Sequence, residues 1–283
     1  MTARFSVGGG DPKNPDIDGQ ATPKGVAIRF NIDANTSTDL ICHSFNGFAT
    51  RTGEDFLTFL QLFRGSAIAR AVAAQNPDSA KAKEDRDKAN TAFGGFLATH
   101  PSANKFATDT KPNPKTYGTL TYYQPNTHVL TNQKGNVSNV RYRLIPAAGQ
   151  QLITEKAELD ALSPTYLEDD LRDNLAKTPI VFTLQAHVAD PSDTLDDATI
   201  AYKSTTFVPV GTLKITKIAG QNPAEQQQMQ QQIAFSPRPD GSGIKGIASS
   251  NDPLIQIRMG VYAISAQQHR TEKQVEPMFP ASK

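Results

Sequence analysis

Residues 24–32, KGVAIRFNI, alternate apolar and polar side chains, the period of a strand with one covered face. Residues 38–48, TDLICHSFNGF, form a second such run after the turn-rich DANTS, so the two predict a hairpin. The period then lengthens. Thr52 stands three residues before Asp55 as an N-cap, and Phe56, Leu57, Phe59, Leu60 and Phe63 follow at helical spacing, which predicts an amphipathic helix packing inward. Residues 66–98 continue helical, with Gly94 and Gly95 expected to break the pattern near its end. TDTKPNPK at 108–115 reads as a loop.

Beyond it the period returns to two. TYGTLTYYQ from Thr116, HVLTNQKGNVSNVRYRLI from His128 with a turn at Lys134, Gly135 and Asn136, TPIVFTLQAHVA from Thr178, and TTFVPVGTLKITKI at 205–218 all read as strands. A helix at about 164–176 interrupts them, its acidic residues near the favoured N-terminal end. NPAEQQQMQQQ from Asn222 reads as a short polar helix. The closing run, DPLIQIRMGVYAISAQQHR at 252–270, opens with Asp252 as cap and Pro253 at the first helical position. Its core stripe is predicted to be Leu254, Ile257, Val261 and Ile264. The fold class is α+β: N-terminal strands, a helical insertion, a sheet of antiparallel strands and a closing helix.

The 283 residues, 37% hydrophobic and 20% charged with net charge +1, are enough to bury a sizeable core. Charges of both signs are mixed along the chain, so nothing points to nucleic acid or to an anionic membrane surface. Cys42 stands alone, which excludes an intramolecular disulfide and zinc sites built on paired cysteines. No apolar run approaches the ~18 residues of a membrane span, and the N-terminus lacks a signal-peptide pattern. The chain as written reads as soluble, with its compartment open.

No phosphate loop, dinucleotide fingerprint or histidine-glutamate zinc helix is present; Gly8, Gly9 and Gly10 lead into Asp-Pro, not a helix. His43, His100, His128, His187 and His269 lie far apart, and a lone histidine in a strand is more often hydrogen-bonded structure than a ligand. Arg258 and Tyr262 stand one turn apart beside the stripe of the closing helix. On pattern alone this is a guanidinium stacked on a ring. A second reading is a phenolate ligand to ferric iron, its ionisation favoured by the neighbouring cation.

Several stretches, in order, resemble the small catalase-related peroxidases. RFSVGGGDP, KGVAIRF and TDLICHSFNGF look like consecutive barrel strands, and RTGEDFLTFLQ like the helix over the haem. YGTLTYYQPNTHVLTN, VRYRLIPAAG and DDATIAY are similar to the second half of the family, and DPLIQIRMGVYAIS to its proximal helix. The likeness runs from about residue 2 to residue 270. It implies a catalase-like antiparallel β-barrel with helical insertions, organised as a single haem-binding domain over 1–283 with its insertion at about 52–100 and its proximal helix at about 252–268.

By the same resemblance Tyr262 is the iron ligand of a ferric, tyrosinate-ligated haem b and Arg258 its hydrogen-bonding partner. Arg4 matches an arginine that holds a haem propionate, Ser6 a distal serine, and Phe56 a ring stacked near the haem, with core packing as the alternative. His43 takes the place of a distal asparagine that steers peroxide, or else caps its strand. The family's distal histidine lies on a strand upstream of the motif matched by RFSV, so the barrel is expected to be N-terminally incomplete and its activity impaired. A propionate arginine seven residues after the tyrosine is replaced by His269, with Arg270 beside it.

The function implied is peroxidase or catalase-related reduction of hydrogen peroxide or organic hydroperoxides, with a small-molecule electron donor. The alternatives are a fatty-acid hydroperoxide isomerase and a non-catalytic haem-binding protein. A homodimer is compatible with the family, although no sequence feature marks an interface.

Overall fold

The computed structural model describes residues 1–8, 15–17, 22–109, 111, 113–220, 222–240 and 242–271; Gly9 and Gly10, part of the glycine run noted above, lie outside them. β1 (Thr2–Val7), β2 (Lys24–Asn31) and β3 (Ser37–His43) pair antiparallel in that order. The register sets Phe5 against Val26 and Val26 against Cys42, and, one residue along, Ser6 against Gly25 and Gly25 against His43. Because side chains alternate faces, the first rung points into the core and the second away from it. The predicted strand at 38–48 ends early, at His43, because Phe45 to Gly47 turn back: Gly47 donates its N–H to the Phe45 carbonyl at 3.1 Å and takes φ 143°.

The helical insertion follows as α1 (Gly53–Gln75), α2 (Ala80–Thr99) and α3 (Pro101–Thr108). Thr52 caps α1, its hydroxyl accepting from the Asp55 N–H at 3.1 Å. Phe59 is buried with Ala49 and Ala103 against Phe56, Phe93, Phe96 and Phe106, but Leu57 and Leu60 are exposed, contrary to a helix packed inward along its whole stripe. Gly94 and Gly95 do not break α2, which runs through them in open surroundings.

β4 (Asn113–Pro114) pairs with β8 (Leu152–Ile153) in a small separate sheet. The predicted strand from Thr116 is mostly a 3-10 turn at Tyr117–Thr119, with only β5 (Tyr122–Tyr123) extended. β5 joins β3 to β7 (Val137–Pro146). The other half of β7 pairs with β6 (His128–Thr131) around Gly135 at φ 82°, as the turn chemistry predicts. After α4 (Lys156–Asp160) and α5 (Tyr166–Asn174), β9 (Ile180–Val188) lies along β7. β10 (Phe207–Ile215) lies along β9, with a register shift at Pro209. The polar α6 (Pro223–Gln232) precedes β11 (Ile247–Ser249), which pairs with β6, and α7 (Pro253–Thr271) closes the described chain.

The described strands form a curled nine-stranded antiparallel sheet, a half-barrel in which β1 pairs only with β2. Val26, Ile28, Leu40, Cys42, Tyr122, Leu144 and Phe182 fill its interior. In α7, Leu254 and Ile255 are buried, whereas Val261 and Ile264 are 57% and 62% exposed. The predicted stripe is therefore core only at its start, while Ala266, off the stripe, is buried again near the far end of α7. Among the described residues no helix is long and apolar enough to cross a membrane.

Candidate functional site

The first turn of α7 fixes the rest of that helix. Asp252 accepts the Leu254 N–H at 2.9 Å, Pro253 has no N–H to leave unpaired, and Leu254 and Ile255 anchor the turn in the core. One turn on, Nη2 of Arg258 lies 3.4 Å from the Tyr262 hydroxyl. Nη1 of the same guanidinium donates to Oδ1 of Asn126, and Nδ2 of Asn126 donates to Oδ2 of Asp252 at 3.0 Å. The result is a relay that starts at the helix cap and ends at the phenol. Asn126 and Asp252 are both buried. Burial raises the Asp252 carboxyl, while the Leu254 N–H and the Asn126 amide lower it.

Facing this relay, β3 delivers His43. Its Nδ1 accepts the Phe45 N–H at 3.3 Å, which leaves the ring proton on Nε2 in the neutral form. Nε2 is buried and has no hydrogen-bond partner. Burial, and then the Arg258 charge, push the imidazole down to about 3, so it is neutral at pH 7. Phe48 sits between the two halves of the site: 6.2 Å from the His43 ring, 5.9 Å from the Arg258 guanidinium and 4.9 Å from the Phe56 ring.

Arg4, on the face of β1 away from the core, lies over the Phe235 ring at 4.9 Å. It makes no hydrogen bond or ion pair with the described residues. Burial lowers it and the Tyr262 phenol raises it, so the two groups feel one another. Ser6 shares the rung of His43, with only Gly25 between them. A Cβ on Gly25 would stand 2.7 Å from the Ser6 hydroxyl, so glycine is what leaves that hydroxyl its space.

The fold thus gathers Arg258, His43 and Phe56 around Phe48, with Tyr262 beside Arg258 and Arg4 within electrostatic reach of Tyr262; Ser6 lies two strands from His43. The other histidines go elsewhere. His100 stacks on Phe96 at 3.9 Å, His128 bonds Gln124 at 2.6 Å, His187 bonds the Ser204 carbonyl at 2.6 Å, and His269 sits in the last turn of α7. Asn126, Phe48 and Phe235 were not picked out from the sequence. Among the described residues no three His, Cys, Asp or Glu side chains stand together as metal ligands.

The Catalase family model matches residues 1–278 of this chain. The chain belongs to the catalase family. It is similar to a catalase-related peroxidase of Synechococcus elongatus, 28% identical over 267 residues that cover 94% of this chain and 71% of the relative. A catalase-related peroxidase of Mycolicibacterium paratuberculosis is 26% identical over 267 residues, covering 93% of this chain and 76% of the relative. Among solved structures, a fungal catalase superposes with a TM-score of 0.70 at 20% identity over 95% of this chain and 52% of the other. Catalase A from Saccharomyces cerevisiae gives 0.70 at 19%, over 95% and 53%. The chain therefore spans about half the length of these catalases and shares their fold. Catalase-family proteins are haem proteins, and the paired phenol and guanidinium, the unpartnered imidazole N–H and the Arg4 guanidinium, unpaired among the described residues, are groups that such a cofactor would engage.

Proposed function

We propose that the chain is a single haem-binding domain that reduces hydrogen peroxide or organic hydroperoxides with electrons from a small-molecule donor. The carrying observation is the pairing of Arg258 with Tyr262 opposite a half-buried His43 whose buried Nε2 has no partner. Among the described residues no three His, Cys, Asp or Glu side chains stand together, so iron here would arrive with its other ligands already supplied, as it does in a porphyrin. A ferric haem b, when bound, supplies the redox chemistry of peroxide cleavage.

This chain's residues supply the rest. Tyr262 would be the iron ligand, with the Arg258 guanidinium placed to donate a hydrogen bond to its oxygen. Asn126 and Asp252 hold the guanidinium in place. Arg4 offers its unpaired cation to a propionate carboxylate, which restores the solvation it loses on burial. Phe48 and Phe56 exclude water from the pocket. His43, neutral and donating from Nε2, orients peroxide by a hydrogen bond; at about 3 it is too weak a base to store the proton, so it is a steering group, with the Ser6 hydroxyl on the same rung.

The test is the absorption spectrum of the chain reconstituted with haem, beside Tyr262→Phe and Arg258→Leu. A high-spin ferric spectrum of phenolate type that is lost in Tyr262→Phe and altered in Arg258→Leu is the expected result. Identical spectra in all three, or no haem uptake by the parent chain, would overturn the reading. Product analysis then separates donor oxidation from rearrangement of a lipid hydroperoxide, and haem binding without turnover marks a non-catalytic protein.

A further inference from the structure

Arg141, on β7, is a buried cation behind the relay that ends at Tyr262; only 5% of it is exposed. Nη1 donates to the Ile200 carbonyl at 2.6 Å, Nη2 to the Asp197 carbonyl at 3.0 Å, and Nε reaches the Thr127 hydroxyl at 3.4 Å. The guanidinium lies over the Tyr202 ring at 4.3 Å. These partners are neutral, and no carboxylate among the described residues forms an ion pair with it. A buried charge of this kind has to be balanced by charges farther off, which act strongly where water is excluded.

The carboxylates that face it are Asp197 and Asp252. Asp197 already has a cation, since Arg51 stands 3.7 Å from its Oδ2. Asp196, on the same loop, accepts the Asn251 N–H at 2.9 Å. Asp252 has no cation in contact among the described residues. Its oxygens accept from neutral donors, the Leu254 N–H at 2.9 Å and the Asn126 amide at 3.0 Å, and Arg258 reaches it only through Asn126. Thr127 ties the two sides together: its hydroxyl meets Arg141, and its carbonyl accepts the Ser250 N–H at 3.2 Å. Burial raises the Asp252 carboxyl, while the Leu254 and Asn126 hydrogen bonds and the Arg141 charge lower it and Asp197 raises it.

The protonation state of Asp252 matters because of Asn126. A carboxylate only accepts, so Asn126 turns its Nδ2 toward Asp252 and its Oδ1 toward Arg258. A protonated Asp252 donates instead. The Asn126 amide then turns end for end to accept, and its NH2 meets the Arg258 guanidinium, donor against donor. Arg258 loses the bond that holds it beside the Tyr262 hydroxyl.

We propose that Arg141 is a positioning residue for the haem site: its charge keeps Asp252 a carboxylate, which orients the Asn126 amide and so keeps Arg258 on Tyr262. The consequence at the haem rests on Tyr262 being the iron ligand; the coupling of Arg141 to Asp252 does not.

The test compares the full chain with Arg141→Met, Arg141→Lys and Asp252→Asn. Without haem, the Asp252 carboxyl is followed by carbon NMR of aspartate-labelled protein, its resonance identified by its loss in Asp252→Asn. Arg141→Met is expected to bind the Asp252 proton roughly tenfold more tightly than the parent. Arg141→Lys, which keeps the charge but not the carbonyl bonds, should stay near the parent. With haem, the ferric absorption spectrum of Arg141→Met at neutral pH should move toward that of Asp252→Asn and return toward the parental one as the pH is raised. Asp252→Asn, which cannot ionise there, should not return. An unmoved Asp252 titration in Arg141→Met, or an equal displacement in Arg141→Lys, would overturn the proposal. So would a displaced titration with a parental haem spectrum, since the effect would then stop at Asp252. Should Arg141→Met not fold, a parental haem spectrum in Asp252→Asn overturns it. If the parent takes up no haem while the carboxyl moves as expected, the coupling of Arg141 to Asp252 stands and the haem reading of the site falls.

Discussion

Nδ2 of Asn126 donates to Oδ2 of Asp252 at 3.0 Å, and that bond decides which end of the Asn126 amide faces Arg258. The amide oxygen is then available to the guanidinium, whose other nitrogen reaches Tyr262. Asn126→Leu, similar in size, removes both bonds and leaves a buried carboxylate and a partly buried cation short of partners. The expected cost is about 1–3 kcal/mol in urea unfolding. In the haem-loaded protein the spectrum should move toward that of Arg258→Leu, because Arg258 is no longer held toward the phenol. A stability loss with an unchanged spectrum would limit Asn126 to a structural role.

The contact between Gly53 and Ile257 makes a second prediction. Gly53→Ala places a methyl group in space held by Ile257, and overpacking of this kind costs about 1–3 kcal/mol. Ile257→Ala made alone should also destabilise, by loss of packing. Together the two changes should cost less than the sum of their separate effects, a coupling of about 0.5–3 kcal/mol in a double-mutant cycle. Simple additivity would mean that the helices shift apart to take up the methyl group.

The contact between Arg258 and Tyr262 could be read from the sequence because spacing along one helix is a local property. Asn126 could not: it sits in a loop between two short strands, after a proline, where neither period applies, and only the tertiary fold brings it under α7. Val261 and Ile264 show the converse. Their period reads as core, but periodicity reports that a helix has an apolar face, not that something covers it. Gly94 and Gly95 read as a break, yet two glycines cost a helix only about 1 kcal/mol each, which the rest of a 20-residue helix absorbs. The strand alternation of β2 and β3 was readable because each has one buried face.

Asp39 clamps two parts of the chain that lie far apart in sequence. It binds Arg29 through both oxygens, at 2.8 and 2.7 Å, and accepts the Ser236 N–H at 2.7 Å, so the segment carrying Phe235 is held beside Arg4. Asp39→Asn halves the bidentate pair and removes its charge. Because Arg29 is partly exposed, the expected loss is about 2 kcal/mol, below that of a fully buried pair. Haem affinity should weaken as well, through Phe235 and Arg4. A loss of stability without any change in affinity would place the clamp outside the site.

Stability should depend on two histidines that are buried neutral. Burial lowers His43 to about 3 and His128 to about 4, from 6.5. In both cases the unfolded chain binds a proton that the folded chain refuses. Their contribution is therefore complete above pH 6.5 and is lost as the pH falls toward 4, by about 1.4 kcal/mol per pH unit for each histidine well inside that window. Asp16, Glu168 and Asp252, all raised by burial, act in the opposite sense, since the folded chain takes up their protons more readily. A single pH profile mixes the two effects, so the comparison is between variants. His128→Gln should remove one histidine's share of the decline between pH 6 and pH 4.5 while leaving the His43 share. Parallel profiles for parent and variant would mean that His128 takes up its proton in the folded chain, on the Nε2 that faces the Gln124 amide.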